Sequence, residues 1–226
     1  MSADEPSTRP ALGELRARYL AAQLAGSRRE ALRLVIDEGL ARGIPALDVE
    51  LEVIQEAQRE IGRLWQQNTI TVAEEHMATA ISHMALSHLY EHAPRALTNG
   101  KKVMVACVEG EEHDFPARLV ADALDLAGFD VRYLGANVPT DSLLAAVKRE
   151  RPDLLALSAT MTFNVPALRR TVERVRLEAG TSLPLAVGGG ACTWMAGLPH
   201  ALGADATARD ARELVEAARR LLGVGA

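Results

Sequence analysis

Two hydrophobic rhythms divide this chain. From residue 11 to residue 93 apolar side chains recur at helical spacing; beyond the next few residues short β-type runs alternate with helical ones. Leu12, Leu15, Tyr19 and Leu24 predict a first amphipathic helix. A second runs from Ser27, a candidate N-cap, to Ala41, with Arg42-Gly43 as its stop. The third, 45–67, places Leu47, Leu51, Ile54, Ile61 and Trp65 on one face. Thr71-Val72-Ala73-Glu74 has the capping-box spacing that starts a fourth, continued by Met77, Ala80, Met84 and Leu89. Short connections between these segments predict an antiparallel four-helix bundle.

Residues 94–100, Pro-Arg-Ala-Leu-Thr-Asn-Gly, read as a linker. After them strands are predicted at 103–108, 131–134, 154–158 and 185–187, with a weak fifth at 204–206. Helices are predicted between them, at 115–128, 140–150, 165–179 and 208–222. This alternation predicts an α/β fold, a Rossmann-like (flavodoxin-like) parallel sheet whose right-handed crossovers bring the strand C-termini to one edge. The expected organisation is a disordered start at 1–10, a four-helix bundle cap at 11–93, a linker at 94–100 and a Rossmann-like domain at 101–226.

Composition narrows the function classes. The chain has 226 residues, 48% hydrophobic and 24% charged, as a folded cytoplasmic protein would be. Its formal charge is −5 and no basic cluster stands out, so direct nucleic-acid binding is not expected. No apolar run is long enough to span a bilayer, and the polar N-terminus has no signal-peptide core. Cys107 and Cys192 lie far apart and suggest packing residues, not a disulfide or a paired-cysteine metal site.

Ligands of open α/β sheets bind beyond the strand C-termini. There the chain places Glu111-Glu112-His113-Asp114-Phe115-Pro116 after the first strand, Ser158-Ala159-Thr160 after the third, and Gly188-Gly189-Gly190 after the fourth. The His113 imidazole is a versatile metal ligand, and Glu111 or Asp114 could orient its second nitrogen. Ser158 offers a compact donor and acceptor, and the glycines allow close approach to the backbone. One ring nitrogen and a slot free of side chains suggest a large metal cofactor with a tail.

The spacing sharpens this. A carboxylate-x-His-x-x-Pro motif (residues 111–116), 41 residues, Ser-x-Thr, 27 residues, then a glycine pair resembles the cobalamin-binding domain of methionine synthase, corrinoid methyl-transfer proteins and adenosylcobalamin mutases. Three positions depart from the family pattern: Glu111 for Asp, Pro116 for Gly and Thr160 for Leu. Pro116 is the oddest, since it removes a backbone donor. The resemblance covers residue 100 to about residue 222. It implies cobalamin with its benzimidazole displaced, His113 as the lower axial ligand of cobalt, and a tail pocket lined by Ser158, Thr160 and Gly188–Gly190. The weak strand at Leu202-Gly203-Ala204-Asp205 would close the pocket's far side.

The helical half resembles a particular subfamily. Trp65, nine residues, then Glu75-His76 is similar to the signature of the light-sensing domain of adenosylcobalamin-dependent repressors. That resemblance implies that adenosylcobalamin binds between the two halves, with Trp65 packed over its adenosyl group and Glu75 and His76 helping to hold it. Those repressors carry a DNA-binding domain ahead of the bundle; here about ten polar residues precede it, so an output on transcription would need a protein partner. Where a His follows the Trp in well-known members, this chain has Gln66, a poor cobalt ligand, leaving His76 or water for the upper face. His83, His88 and His92 read as surface or interface residues. Some stand-alone relatives resemble bilin binders as well; no bilin-attaching cysteine is evident, so biliverdin would bind non-covalently.

The resulting expectation is a cytoplasmic cobalamin photoreceptor, not an enzyme, forming a homo-oligomer (a dimer) and signalling to a protein partner. The rival is a corrinoid carrier of a methyltransferase system, using the same His113; Trp65 with Glu75-His76 argues against it, because a methyl group needs no such cap. A weaker third reading is a cobalamin storage or chaperone module that ignores light.

Overall fold

The computed structural model describes residues 8–225, so most of the stretch expected to be disordered, 1–10, lies outside the described residues. Helix α1 (Thr8–Leu24) begins three residues before the expected start. The chain divides into two compact units, Met1–Pro94 and Arg95–Ala226.

The first unit is a helical bundle. Helix α2 begins as Arg28–Arg33, passes through π-helical Leu34–Gly39 and ends in the 3₁₀ turn Leu40–Arg42. Helix α3 is likewise composite: Ala46–Asp48, π-helical Val49–Gln55, then Glu56–Gln66. Helix α4 spans Val72–His92. Tyr19, Leu34, Ile54, Ile61, Ile81 and Leu86 are buried where the helices meet. A π turn adds a residue per turn and so breaks the 3.6-residue rhythm. Hence Val49, Leu51, Val53 and Ile54 are all buried, whereas Leu47 and Trp65 on the expected face are half-buried.

The predicted start of α4 is realised in full. Thr71 Oγ1 accepts from the Glu74 backbone N–H at 3.3 Å, and Glu74 Oε2 accepts from the Thr71 N–H at 2.7 Å. Ser27 occupies the N-cap position of α2 but makes no side-chain cap.

The second unit is a five-stranded parallel sheet, β1 (Lys102–Cys107), β2 (Asp130–Tyr133), β3 (Leu154–Ser158), β4 (Leu185–Gly188) and β5 (Ala206–Thr207), in the order β2-β1-β3-β4-β5. The fifth strand lies slightly later than expected and is only two residues long. Helices α5 (Phe115–Leu126), α6 (Thr140–Glu150) and α7 (Val165–Ala179) supply crossovers, short α8 (Gly190–Trp194) and α9 (Leu198–Ala201) lie between β4 and β5, and α10 (Ala211–Leu222) follows β5. Met104, Ala106, Leu155, Leu157, Leu185 and Val187 pack with α6 and α7 residues in one core. The alternate positions Val103 and Val105 turn to the other face, where α5 and α10 meet.

This strand order reverses direction between β1 and β3. Loops leaving those two strands diverge, which opens a crevice at the C-terminal edge. Register pairs Cys107 with Ser158, so the loops carrying His113 and Thr160 start side by side.

The capping box gives a first test. Thr71→Ala is expected to destabilise the helical unit by about 1 kcal/mol, measured by urea unfolding followed through helical circular dichroism.

Candidate functional site

Glu111 organises the crevice. It is fully buried, and its carboxylate accepts five hydrogen bonds. Oε1 accepts from the His113 backbone N–H at 2.9 Å and from His113 Nδ1 at 2.6 Å. Oε2 accepts from the backbone N–H groups of Thr160 (2.8 Å) and Met161 (3.0 Å) and from Asn164 Nδ2 (2.8 Å). Burial alone would raise this carboxyl; the donors, His113 foremost, outweigh it and hold the group down at about 2. The site therefore contains a carboxylate, and that carboxylate ties the loop after β1 to the loop after β3.

With its proton on Nδ1, the His113 ring presents Nε2 as the ligating nitrogen. Its side chain is 44% exposed, so a metal can reach it. The loop is held from a second side. Asn137, at φ 49, accepts from the Gly110 N–H at 2.8 Å, donates through Nδ2 to Glu112 at 2.9 Å, and donates its own N–H to the Glu111 carbonyl. The Tyr133 hydroxyl donates to Asp114 Oδ2 at 2.9 Å; burial and then the Asp114 carboxylate push this phenol up, so it stays a donor. Pro116, the oddest departure because it removes a backbone donor, sits in the first turn of α5, where a backbone N–H has no helical acceptor and proline is well tolerated.

Ser158 Oγ and Thr160 Oγ1 are buried without a hydrogen bond among the described residues. The Cys107 thiol gives Ser158 at most a weak sulfur contact. Such hydroxyls cost about 1–3 kcal/mol each unless a ligand atom pairs with them. The glycines have a different role from the open slot expected of them. A Cβ on Gly189 would lie 2.4 Å from the Ala159 carbonyl O, and one on Gly190 would lie 2.8 Å from that of Thr160. They are needed because the β4 loop presses on the β3 loop. Gly188, the last residue of β4, has only the Ala208 carbonyl at 3.9 Å.

These residues fit a corrinoid. Among the described residues no group of three or more His, Cys, Asp and Glu could hold a metal ion. A lone oriented imidazole suits a metal whose remaining positions are filled by its own ring. Burial pushes the Cys107 and Cys192 thiols up to about 12 and about 11, so neither is a thiolate ligand, and neither is exposed for attaching a bilin.

In the helical unit, Trp65 lies in the last turn of α3, and Glu75 and His76 lie in the first turn of α4, across the connection 67–71. Trp65 is half-buried and Gln66 exposed. His76 Nδ1 donates to Glu75 Oε2 at 2.6 Å, and Thr79 Oγ1 donates to Glu75 Oε1 at 2.7 Å. His88 and His92 are exposed on α4, where His92 Nδ1 donates to the His88 carbonyl. The sequence pattern alone did not reveal Asn137, Tyr133, Thr79 or Asn164. Only Asn164 had a signal, a polar residue before Val165-Pro166 at a helix start.

A Rossmann-like sheet with a carboxylate-oriented imidazole at its switch point is the arrangement of a cobalamin-binding protein. The chain belongs to the B12-binding family: the B12 binding domain matches residues 101–219, and a second B12 binding domain matches residues 15–90. It is similar to the HTH-type transcriptional repressor CarH of Myxococcus xanthus, 33% identical over 157 residues, covering 70% of this chain and 52% of the repressor. The chain thus spans about half of that relative's length. It is also similar to dimethylamine corrinoid protein 1 of Methanosarcina acetivorans, 27% identical over 193 residues, covering 83% of this chain and 82% of that protein. The structure of a monomethylamine corrinoid protein from Methanosarcina barkeri shares the fold, with a TM-score of 0.81 at 24% identity, over 92% of this chain and 99% of that one. Among the described residues no helix is long and apolar enough to cross a membrane.

Two tests follow from this geometry. The Glu111 carboxyl lies below its usual 4.5, so its contribution to stability is complete above that pH and is lost as the pH falls toward 2. Glu111→Gln is expected to cost about 2–3 kcal/mol at neutral pH. Urea unfolding across a pH series should show the gap between parent and variant closing in acid. Gly189→Ala adds a Cβ at φ 94 against the Ala159 carbonyl and is expected to destabilise the sheet unit by more than about 1 kcal/mol, read by the same unfolding measurement.

Proposed function

We propose that this chain is a cobalamin-dependent light sensor of the cytoplasm, which turns loss of an adenosyl group into a change of shape or self-association read by a protein partner. The Glu75–His76 pair, across one helix connection from Trp65, carries this reading. Its carboxylate is held by Thr79 and its imidazole by that carboxylate. Such support costs ordering entropy that a plain solvated helix start would not need. The similarity to the repressor supports the same reading.

In this reading His113 holds the cofactor from below, oriented by Glu111, while Ser158 and Thr160 offer hydroxyls to its tail. Bound adenosylcobalamin supplies a cobalt–carbon bond that green light breaks. Trp65, Glu75 and His76 hold the adenosyl group and exclude water; without that group they lose contacts specific to one state, which is the differential interaction a switch requires. The protein acts as a homo-oligomer, a dimer.

A second reading is favoured by one observation. The chain covers 82% of dimethylamine corrinoid protein 1, against 52% of the repressor. A corrinoid carrier would use His113 in the same way and pass a methyl group between enzyme subunits.

Small-angle scattering of the adenosylcobalamin-loaded protein, in the dark and after green light, separates the two. The sensor reading expects the profile to change in the parent and to stay constant in Trp65→Ala, which still binds cobalamin through His113. Identical profiles for the parent in dark and light would sink it and favour the carrier.

A further inference from the structure

Among the described residues the sheet unit exposes five large apolar side chains, and three of them, Phe163, Trp194 and Met195, lie on the loops that follow β3 and β4. Phe163 is 68% exposed and Trp194 58%. Both stand on anchored backbone. Phe163 sits in the 3₁₀ turn Thr162–Asn164, whose last residue is buried and donates to Glu111 at 2.8 Å. That turn lies next to α8. Trp194 ends α8, and the Ala191 N–H of that helix donates to the Ala159 carbonyl at 3.1 Å. The indole reaches back over Gly190. Its Cη2 atom lies 3.5 Å from where a Cβ on that glycine would stand, and Thr160 Cγ2 lies 3.4 Å from the same point.

An indole edge, a threonine methyl and a side-chain-free backbone thus border one spot. At the same edge of the sheet, Ser158 Oγ and Thr160 Oγ1 are buried without a hydrogen bond among the described residues, and Ser158 as a whole is only 7% exposed. These are two chemistries for one ligand: hydroxyls for a polar chain and a π surface for a flat ring. A protein partner would cover the aromatic side chains and leave the hydroxyls unpaired. A bare anion would pair with the hydroxyls and leave the aromatics in water. An aromatic base on a sugar phosphate uses both. Holding the rings on anchored loops lowers the ordering cost of such a contact.

We propose that Trp194, with Phe163 next to it, is a specificity residue of the cofactor site: it stacks on the aromatic base that ends a corrinoid's tail, so the protein favours corrinoids that carry such a base. This rests on the cobalamin reading above and extends it. His113 reads the metal, which every corrinoid has; Trp194 reads a base, which a truncated corrinoid lacks. All these residues belong to the sheet unit.

The test titrates the full chain with aquacobalamin and with diaquacobinamide, the same ring without its nucleotide tail, and follows the visible spectrum. Trp194→Ala is expected to weaken cobalamin binding by about ten-fold and to leave cobinamide binding unchanged. Displacing the base from cobalt costs the same in parent and variant, so it cancels from this comparison. Trp194→Phe keeps a ring and should recover most of the loss; Trp194→Leu should not. Leu177→Ala, another exposed apolar position, should match the parent with both ligands. Equal weakening of both ligands by Trp194→Ala would make the indole a structural support and overturn the inference. An unchanged cobalamin affinity, or full recovery by leucine, would overturn it too. Failure of the cobalamin reading itself has another signature: His113→Ala would then leave the spectra and affinities of both ligands as in the parent.

Discussion

A carboxylate with no solvent exposure loses several kcal/mol of hydration, and Glu111 persists in the sheet unit because five donors replace that water. Two of them belong to His113 and three to the β3 loop. One charge thus joins the loops that part at the switch point and aims the imidazole between them. If it were neutral, the N–H groups of Thr160 and Met161 would face a weaker acceptor, and Nδ1 of His113 would lose the partner that selects its tautomer. Asn137 and Tyr133 brace the same loop from β2, so the histidine is set by three strands.

The helical unit solves a related problem with less charge. Its Glu75 carboxylate stands near the surface, and a neutral hydroxyl and amide, Thr79 and then Gln58, reach it from the bundle interior. The π-helical stretches in α2 and α3 lie close together, with Gly39 where they meet: a Cβ there would come within 3.2 Å of the Val49 side chain. Two extra-residue turns packed on each other change which side chains face inward, and so place a wider set of positions in the core than a regular helix would.

This explains what could be read in the sequence. Helix existence, the capping box at Thr71, the strand alternation and the His113 loop all depend on residues near one another in the chain, where period and spacing carry the signal. The π turns left no local mark, so the face assigned to α3 was only partly right. Asn164 could not be linked to Glu111 because 53 residues separate them and only sheet register brings them together. Pro116 looked odd for its missing donor because its place in a helix's first turn depends on where that helix starts. The glycines were legible as a cluster, but the backbone pressing on them was not.

The separation across Glu111 also has a kinetic side. His113 finds its carboxylate two residues away, whereas the anchors of that carboxylate lie 49, 50 and 53 residues downstream. Local pairs close quickly; distant ones must wait until β1 and β3 have paired. The imidazole is therefore aimed only late in folding, and a newly made chain offers no finished socket until its central strands are in register. A cofactor that binds the finished socket alone draws the chain toward that state by mass action, acting as a latch on its own container.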